Sequence, residues 1–286
     1  MLENFKKAIF RALCCVLIGG GGLMAEPNPE ELVDLGMLSY DKQDFSKARK
    51  YFEKACGLNN GRGCGALGVL YEDGQGVEKN LTKATQYFSK ACDLKDGDGC
   101  FNLGMSYHSG ERVEKDFKKA LALYKKACDL KDGGGCGVLG VLYENGEGVE
   151  KNLTKATQFY SKACDLNNGR GCNNLGVLYE YGQGVEKDLI KTAYLYSKAC
   201  DLNIGDGCKN LGVLYTTGRG VEKNSTKAAQ FCSKACNLNN SWGCGYLGFL
   251  YEYGQGVEKD LAKAAYFYSK ACKLGEQLAC ESLKEK

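Results

Sequence analysis

Residues 65–94 read GALGVLYEDGQGVEKNLTKATQYFSKACDL, and residues 137–166 read GVLGVLYENGEGVEKNLTKATQFYSKACDL, very nearly the same segment. Self-similarity at a fixed distance is the mark of a repeat architecture. The leucine of a Leu-Gly pair falls at 67, 103, 139, 175, 211 and 247, a constant step of 36, and Leu35-Gly36 precedes the series by 32. Within a unit, Leu67, Leu70 and Tyr71 share one face of a helix, here called helix A. Gly74 follows as a left-handed C-cap, which glycine fills without a Cβ penalty. Asn80 is a good N-cap for helix B, whose apolar stripe is Leu81, Ala84, Tyr87, Phe88, Ala91 and Leu94. Two short helices cannot bury both faces, so neighbouring units must stack into a continuous core. Gly68 and its equivalents at 104, 140, 176, 212 and 248 are expected to let helix A approach helix B closely.

These features predict an all-α fold, a right-handed α/α solenoid superhelix of tetratricopeptide-like helix pairs. Residues 26–58, in which the segment from Leu35 to Cys56 is four residues shorter than its counterparts, read as an N-terminal cap. The 36-residue units run from about 61 to 275, and residues 276–286 begin a capping helix.

The chain of 286 residues is 44% hydrophobic and 26% charged, so it buries a core and is neither disordered nor fibrous. Its only prolines, Pro27 and Pro29, precede the repeats, which leaves long helical arrays unbroken. Lys6, Lys7 and Arg11 followed by the apolar run from Ala12 to Met24 read as a secretory leader, residues 1–25, cleaved after Ala25. The run is too short to span a bilayer. Without the leader, 35 basic residues face 34 acidic ones, a balance that speaks against a nucleic-acid or membrane partner. The expected location is periplasmic or extracellular.

Fourteen of the 17 cysteines form pairs eight residues apart: Cys56 with Cys64, Cys92 with Cys100, Cys128 with Cys136, Cys164 with Cys172, Cys200 with Cys208, Cys236 with Cys244, and Cys272 with Cys280. In an exported chain this reads as a disulfide framework. A rival scheme joins Cys64 to Cys92 inside a unit. Chain entropy separates the two by only about 1 kcal/mol per bridge. The rival leaves Cys56 and Cys280 unpaired, so counting favours the local scheme. Cys14 and Cys15 leave with the leader, and Cys232 remains as a free thiol in the place of Phe88, Tyr124, Tyr160, Tyr196 and Tyr268. A zinc site is not expected, because the one histidine is His108 and the spacing is not that of a zinc knuckle. No cofactor is expected either.

The order Leu-Gly-x-x-Tyr, Gly-x-Gly-Val-x-Lys-(Asn/Asp), then Lys-Ala-x-x-aromatic-aromatic-x-Lys-Ala-Cys resembles Sel-one-like repeat proteins. The added cysteine pairs resemble the secreted Helicobacter cysteine-rich protein family, over essentially all of residues 26–286. That resemblance implies a secreted interaction protein with penicillin binding and weak β-lactamase activity. One departure is Glu111-Arg112, which replaces the Gln-Gly of Gly74-Gln75-Gly76, so the family pattern leaves the turn geometry there open.

Serine β-lactamase chemistry needs Ser-x-x-Lys together with Ser-Asp-Asn and Lys-Thr-Gly. Only Ser39-Tyr40-Asp41-Lys42 fits the first pattern, and the others are absent, so the match reads as accidental and no catalytic residue is named. His108 stands where other units carry Glu72, Glu144, Glu180 and Glu252, and reads as an ordinary surface residue.

Variation within the otherwise uniform unit is the stronger signal. If helix A lines a concave side, the varied positions are Phe101, Asn173 and Lys209; Asn102, Asn174, Asn210 and Tyr246; and Met105 and Phe249. An asparagine amide offers donors and an acceptor to a peptide backbone. The expected ligand is therefore a peptide, a protein or a cell-wall-derived fragment, with slow β-lactam hydrolysis as the alternative.

Overall fold

The computed structural model describes residues 27–284, a run of fifteen helices with no strand among them. The expected leader and its cleavage point lie outside the described residues. A first pair, α1 (Pro29–Asp41) and α2 (Phe45–Gly57), is followed by six full pairs. Their A helices are α3 (Gly61–Asp73), α5 (Gly97–Ser109), α7 (Gly133–Asn145), α9 (Gly169–Tyr181), α11 (Gly205–Thr217) and α13 (Ser241–Tyr253). The B helices are α4 (Leu81–Asp93), α6 (Phe117–Asp129), α8 (Leu153–Asp165), α10 (Leu189–Asp201), α12 (Ser225–Asn237) and α14 (Leu261–Lys273), and α15 (Gln277–Lys284) closes the array.

Local chemistry sets these boundaries. Each A helix of the full units ends on a glycine in the left-handed region, from Gly74 at φ 73° to Gly254 at φ 67°. Each B helix of those units begins under an Asn or Asp whose side chain accepts the amide three residues on, as Asn80 does from Lys83 at 2.9 Å. The turn from one unit to the next places a single residue, such as Lys95 or Asn167, at positive φ.

Close approach of A to B is built on the Leu-Gly glycine. A Cβ on Gly140 would lie 2.4 Å from the Tyr160 ring, and one on Gly176 would lie 2.7 Å from Tyr196. The aromatic rings of Phe88, Tyr124, Tyr160 and Tyr196 are fully buried beneath these glycines and form the spine of the core.

Units are joined in three ways. Disulfides link Cys56–Cys64, Cys92–Cys100, Cys128–Cys136, Cys164–Cys172, Cys200–Cys208, Cys236–Cys244 and Cys272–Cys280, with Cα atoms 4.4–4.8 Å apart. Each bridge ties the end of a B helix to the start of the next A helix. Lysines make a second link: Lys90, Lys198 and Lys270 donate to the carbonyls of Cys56, Cys164 and Cys236 at 3.0, 2.8 and 3.0 Å, capping the C-terminus of the preceding B helix. Third, neighbouring A helices touch one another, whereas no B–B pair does so to a similar extent. This crowding puts the A helices on the inner side of the bend.

The linker carrying Glu111-Arg112 departs from the others. Gly110 keeps its left-handed conformation, but Arg112 does not take the positive φ of Gly76 and its equivalents. Its guanidinium instead turns inward, ion-paired with Glu72, donating to Ser106 Oγ at 3.0 Å and lying 6.0 Å from the centre of the Phe88 ring.

Candidate functional site

The inner face of each A helix is set by the i, i+4, i+7, i+11 rhythm, because side chains at those steps stack along one side of a helix. On α9 the rhythm gives Arg170, Asn174, Val177 and Tyr181; on α13 it gives Trp242, Tyr246, Phe249 and Tyr253.

On α9 and α11 the face is polar and bonded from unit to unit. Asn210 Nδ2 donates to Asn173 Oδ1 at 3.0 Å, Asn173 Nδ2 donates to Asn174 Oδ1 at 3.3 Å, and the Asn174 side chain is hydrogen-bonded to the Tyr160 hydroxyl. Lys209 lies 3.6 Å from Asp206, which also accepts from Asn240 Nδ2 at 2.9 Å. Asn173, Asn174, Lys209 and Asn210 thus come together. Asn102 does not join them, because the intervening unit carries Gly137 and Val138 at the matching positions. Phe101 is half-buried and packs on Tyr124, with ring centres 6.0 Å apart, so it belongs to the core as much as to the face.

On α13 the face becomes apolar. The rings of Trp242, Tyr246, Phe249 and Tyr253 follow one another at centroid distances of 4.9, 5.7 and 4.7 Å, the first three nearly parallel. The Tyr246 hydroxyl reaches back to Thr216 Oγ1 at 3.2 Å. Trp242 and Tyr253 belong to this ladder although only Tyr246 and Phe249 were singled out from the sequence. The signal was present in SWGCGYLGFLYEY as aromatic residues at steps of four, three and four.

A second set of polar groups lies under the face. Tyr160 donates to Glu144 Oε2 at 2.5 Å, Tyr196 to Glu180 Oε2 at 2.6 Å, and Tyr268 to Glu252 Oε2 at 2.8 Å. Burial, and then the neighbouring carboxylate, hold these three phenols well above the usual tyrosine range. His108 is the corresponding group of the third pair, and its reading as an ordinary surface residue is corrected. It is half-buried, its Nδ1 lies 3.2 Å from the Tyr124 hydroxyl, and its Nε2 lies 3.4 Å from Glu147 Oε1 of the next unit. This position meets the helix B tyrosine in the four units that carry one, at 108/124, 144/160, 180/196 and 252/268, so the histidine points where the glutamates point. Burial, with Glu147 adding to it, pushes the Tyr124 hydroxyl up to about 12.

Ser39 sits at the end of α1, buried, with its hydroxyl donating to the Leu35 carbonyl at 2.8 Å. A small cavity of about 90 Å³ beside it is lined by Leu35, Leu38, Lys42, Asp44, Lys47 and Tyr51. Among the described residues no group of three or more His, Cys, Asp or Glu side chains is placed to hold a metal ion.

The Sel1 repeat model matches residues 36–60, 62–96, 97–132, 136–168, 169–204, 205–240 and 243–276. The chain belongs to the Sel1 repeat family. Its units are similar to HcpC of Helicobacter pylori, 62% identical over 81 residues, which is 28% of this chain and 28% of that protein. They are also similar to beta-lactamase HcpA of Helicobacter pylori, 52% identical over 81 residues, 28% of this chain and 32% of that protein. Each match therefore spans less than a third of the relative's length. Among solved structures, a Sel1 repeat protein from Oxalobacter formigenes superposes with a TM-score of 0.77 at 28% identity, covering 84% of this chain and 99% of that one. Sel1 repeats form helical scaffolds of the kind that bind proteins, and the disulfide-stapled, all-helical solenoid here is such a scaffold.

Proposed function

We propose that this Sel1 repeat protein is exported and holds an extended segment of a peptide or protein partner against the inner face of α9, α11 and α13. The observation that carries the reading is the succession of two surfaces on adjacent helices: α11, which carries Asn210 of the asparagine group, is bonded to the aromatic ladder of α13 through Thr216 and Tyr246. Primary amides match the alternating donors and acceptors of a peptide backbone. Aromatic edges beside them supply apolar contact for its side chains. Lys209 and Arg170 add positive charge at the polar end, suited to an acidic side chain or a terminal carboxylate. The crowding of A helices supports this placement, since solenoids bind through the surface on the inside of their curvature. Seven disulfides support export, because such bonds persist in oxidising compartments.

Hydrolysis of β-lactams, which the resemblance implies and the name of HcpA carries, would find at Ser39 a hydroxyl already donating to its own helix. No reaction is placed there.

Trp242 is the single tryptophan, so its emission reports on the aromatic end of the face. Peptides selected by display on the oxidised protein are expected to shift that emission saturably. Substituting Asn174→Ala and Asn210→Ala together removes hydrogen bonds worth roughly 0.5–1.5 kcal/mol each and weakens binding about tenfold with little change in melting temperature. Selected peptides that bind the double variant equally well would exclude this face. A chromogenic cephalosporin run in parallel tests the hydrolase alternative.

A further inference from the structure

The N-caps of the six full B helices fall into two classes. Asn80, Asn152 and Asn224 cap α4, α8 and α12, and Asp116, Asp188 and Asp260 cap α6, α10 and α14. Capping itself does not separate them. Each side chain accepts one backbone amide, at 2.9 Å for Asn80, Asn152 and Asn224 and at 3.0, 2.9 and 2.9 Å for the aspartates, and the two residue types are equally good N-caps.

What accompanies each class does differ. Two residues after each asparagine stands Thr82, Thr154 or Thr226; two residues after the aspartates stand Lys118, Ile190 and Ala262. The three threonines are exposed and their hydroxyls make no hydrogen bond, so packing does not call for them. Units 61–96 and 133–168 are near copies and count as one instance. Unit 205–240 has diverged, with Ser225 and Cys232 in its B helix, yet keeps the asparagine and the threonine together.

We infer that Asn80, Asn152 and Asn224 are acceptors for N-linked glycosylation, one on every second unit. The pattern is Asn-x-Thr with x not proline, and each instance lies at a loop-to-helix junction with extended backbone, φ −147°, −152° and −152°, with Asn224 exposed and Asn80 and Asn152 half-buried. The cap bond occupies Oδ1 and leaves Nδ2 unbonded. That nitrogen is the nucleophile: it attacks C1 of a sugar carried on a polyprenyl diphosphate. The N–C1 bond forms, the C1–O bond breaks with the diphosphate as leaving group, and one amide proton passes to a base on the transferase. Oδ1 is untouched, so the modified residue still caps its helix. Glu78, Glu150 and Glu222 stand two positions ahead, as Glu114, Glu186 and Glu258 do in the aspartate units, so this acid does not separate the two classes. Asn239, with Ser241 after it, lacks that acid and lies inside the Cys236–Cys244 loop, and it is not assigned.

The inference rests on export, which fractionation of the producing cells checks separately. The test is the intact mass of the exported protein from the organism that makes it, together with Asn80→Asp, Asn152→Asp and Asn224→Asp. Aspartate preserves the cap, as Asp116 does, so the melting temperature stays unchanged while the acceptor nitrogen is lost. The expected result is the polypeptide mass plus three equal glycan increments, with one increment lost for each substitution. A mass equal to the bare oxidised polypeptide, or increments that survive the triple substitution, overturns the assignment.

Discussion

The Tyr196 hydroxyl donates to Glu180 Oε2 at 2.6 Å, while Arg219 from the next unit reaches Oε1 of the same carboxylate at 3.0 Å. One buried acid therefore ties its own B helix to the following linker. His108 Nε2, 3.4 Å from Glu147 Oε1 of the next unit, makes the same connection with the acid on the linker side.

Removing Arg219 leaves the Glu180 carboxylate buried with only a phenol to balance it. Arg219→Met is expected to cost about 2 kcal/mol, below the range for a fully buried pair because the guanidinium is partly exposed. Adding Glu180→Gln should recover part of that loss. Urea unfolding of the two variants measures both effects, and hydrogen exchange should confine the loosening to residues 169–240.

The glycine beneath each helix B aromatic gives a graded test of A–B approach. Gly140→Ala drives a Cβ to 2.4 Å from the rigid Tyr160 ring, whereas Gly212→Ala meets the single Sγ of Cys232 at 2.8 Å. Overpacking of this kind costs about 1–3 kcal/mol, and the Gly140 variant should lie at the upper end. Thermal unfolding midpoints compare them directly, and equal midpoints would contradict the packing account.

Much of this was legible in the sequence, and the reason is physical. Caps, C-terminal glycines and the apolar stripe act within four residues of one another, so a 36-residue period displays them directly. The Tyr196–Glu180 bond spans 16 residues, and the Glu180–Arg219 pair crosses into another unit. Neither follows a helical spacing. A clue did exist: the helix A position carries Glu or His wherever its helix B partner is tyrosine, and Thr216 where the partner is Cys232. The ladder on α13 was half seen, since Tyr246 and Phe249 stood out by comparison between units, while Trp242 and Tyr253 show only when α13 is read along its own axis.

Asp98 is expected to give the chain a pH dependence. Burial first, then the adjacent Asp132, raise its carboxyl to about 6. A folded-state value above the unfolded one means the folded protein holds the proton more tightly, so stability falls as pH rises from about 4 through 6. Asp98→Asn should then be more stable than the parent at pH 7.5 and indistinguishable from it below about pH 4. The side chain is exposed enough for water to screen it, which keeps the gain under about 1 kcal/mol. Denaturant midpoints across that range decide it.

Cys232 is the one free thiol among the described residues, fully buried, and burial pushes it up to about 12. Alkylation of the native protein at pH 8 is expected to leave Cys232 unlabelled, because the thiolate is the reactive form. Denaturation without reductant should expose the Cys232 thiol, and peptide mapping of that sample should recover the seven bridges, Cys56–Cys64 through Cys272–Cys280. A Cys64–Cys92 peptide as the main species would mean a different covalent framework.

The position of those bridges moves the weak point of the chain. Every turn between units is enclosed by a disulfide, so a protease that cuts at Lys95 or Lys131 separates nothing: the two ends stay joined through Cys92–Cys100 or Cys128–Cys136. The Gly-x-Gly linkers inside the units, such as residues 74–80, have no such bond around them. A single cut there divides the molecule into two covalent pieces that only packing holds together. Limited digestion should therefore release fragments that begin or end within units, never at the joints between them.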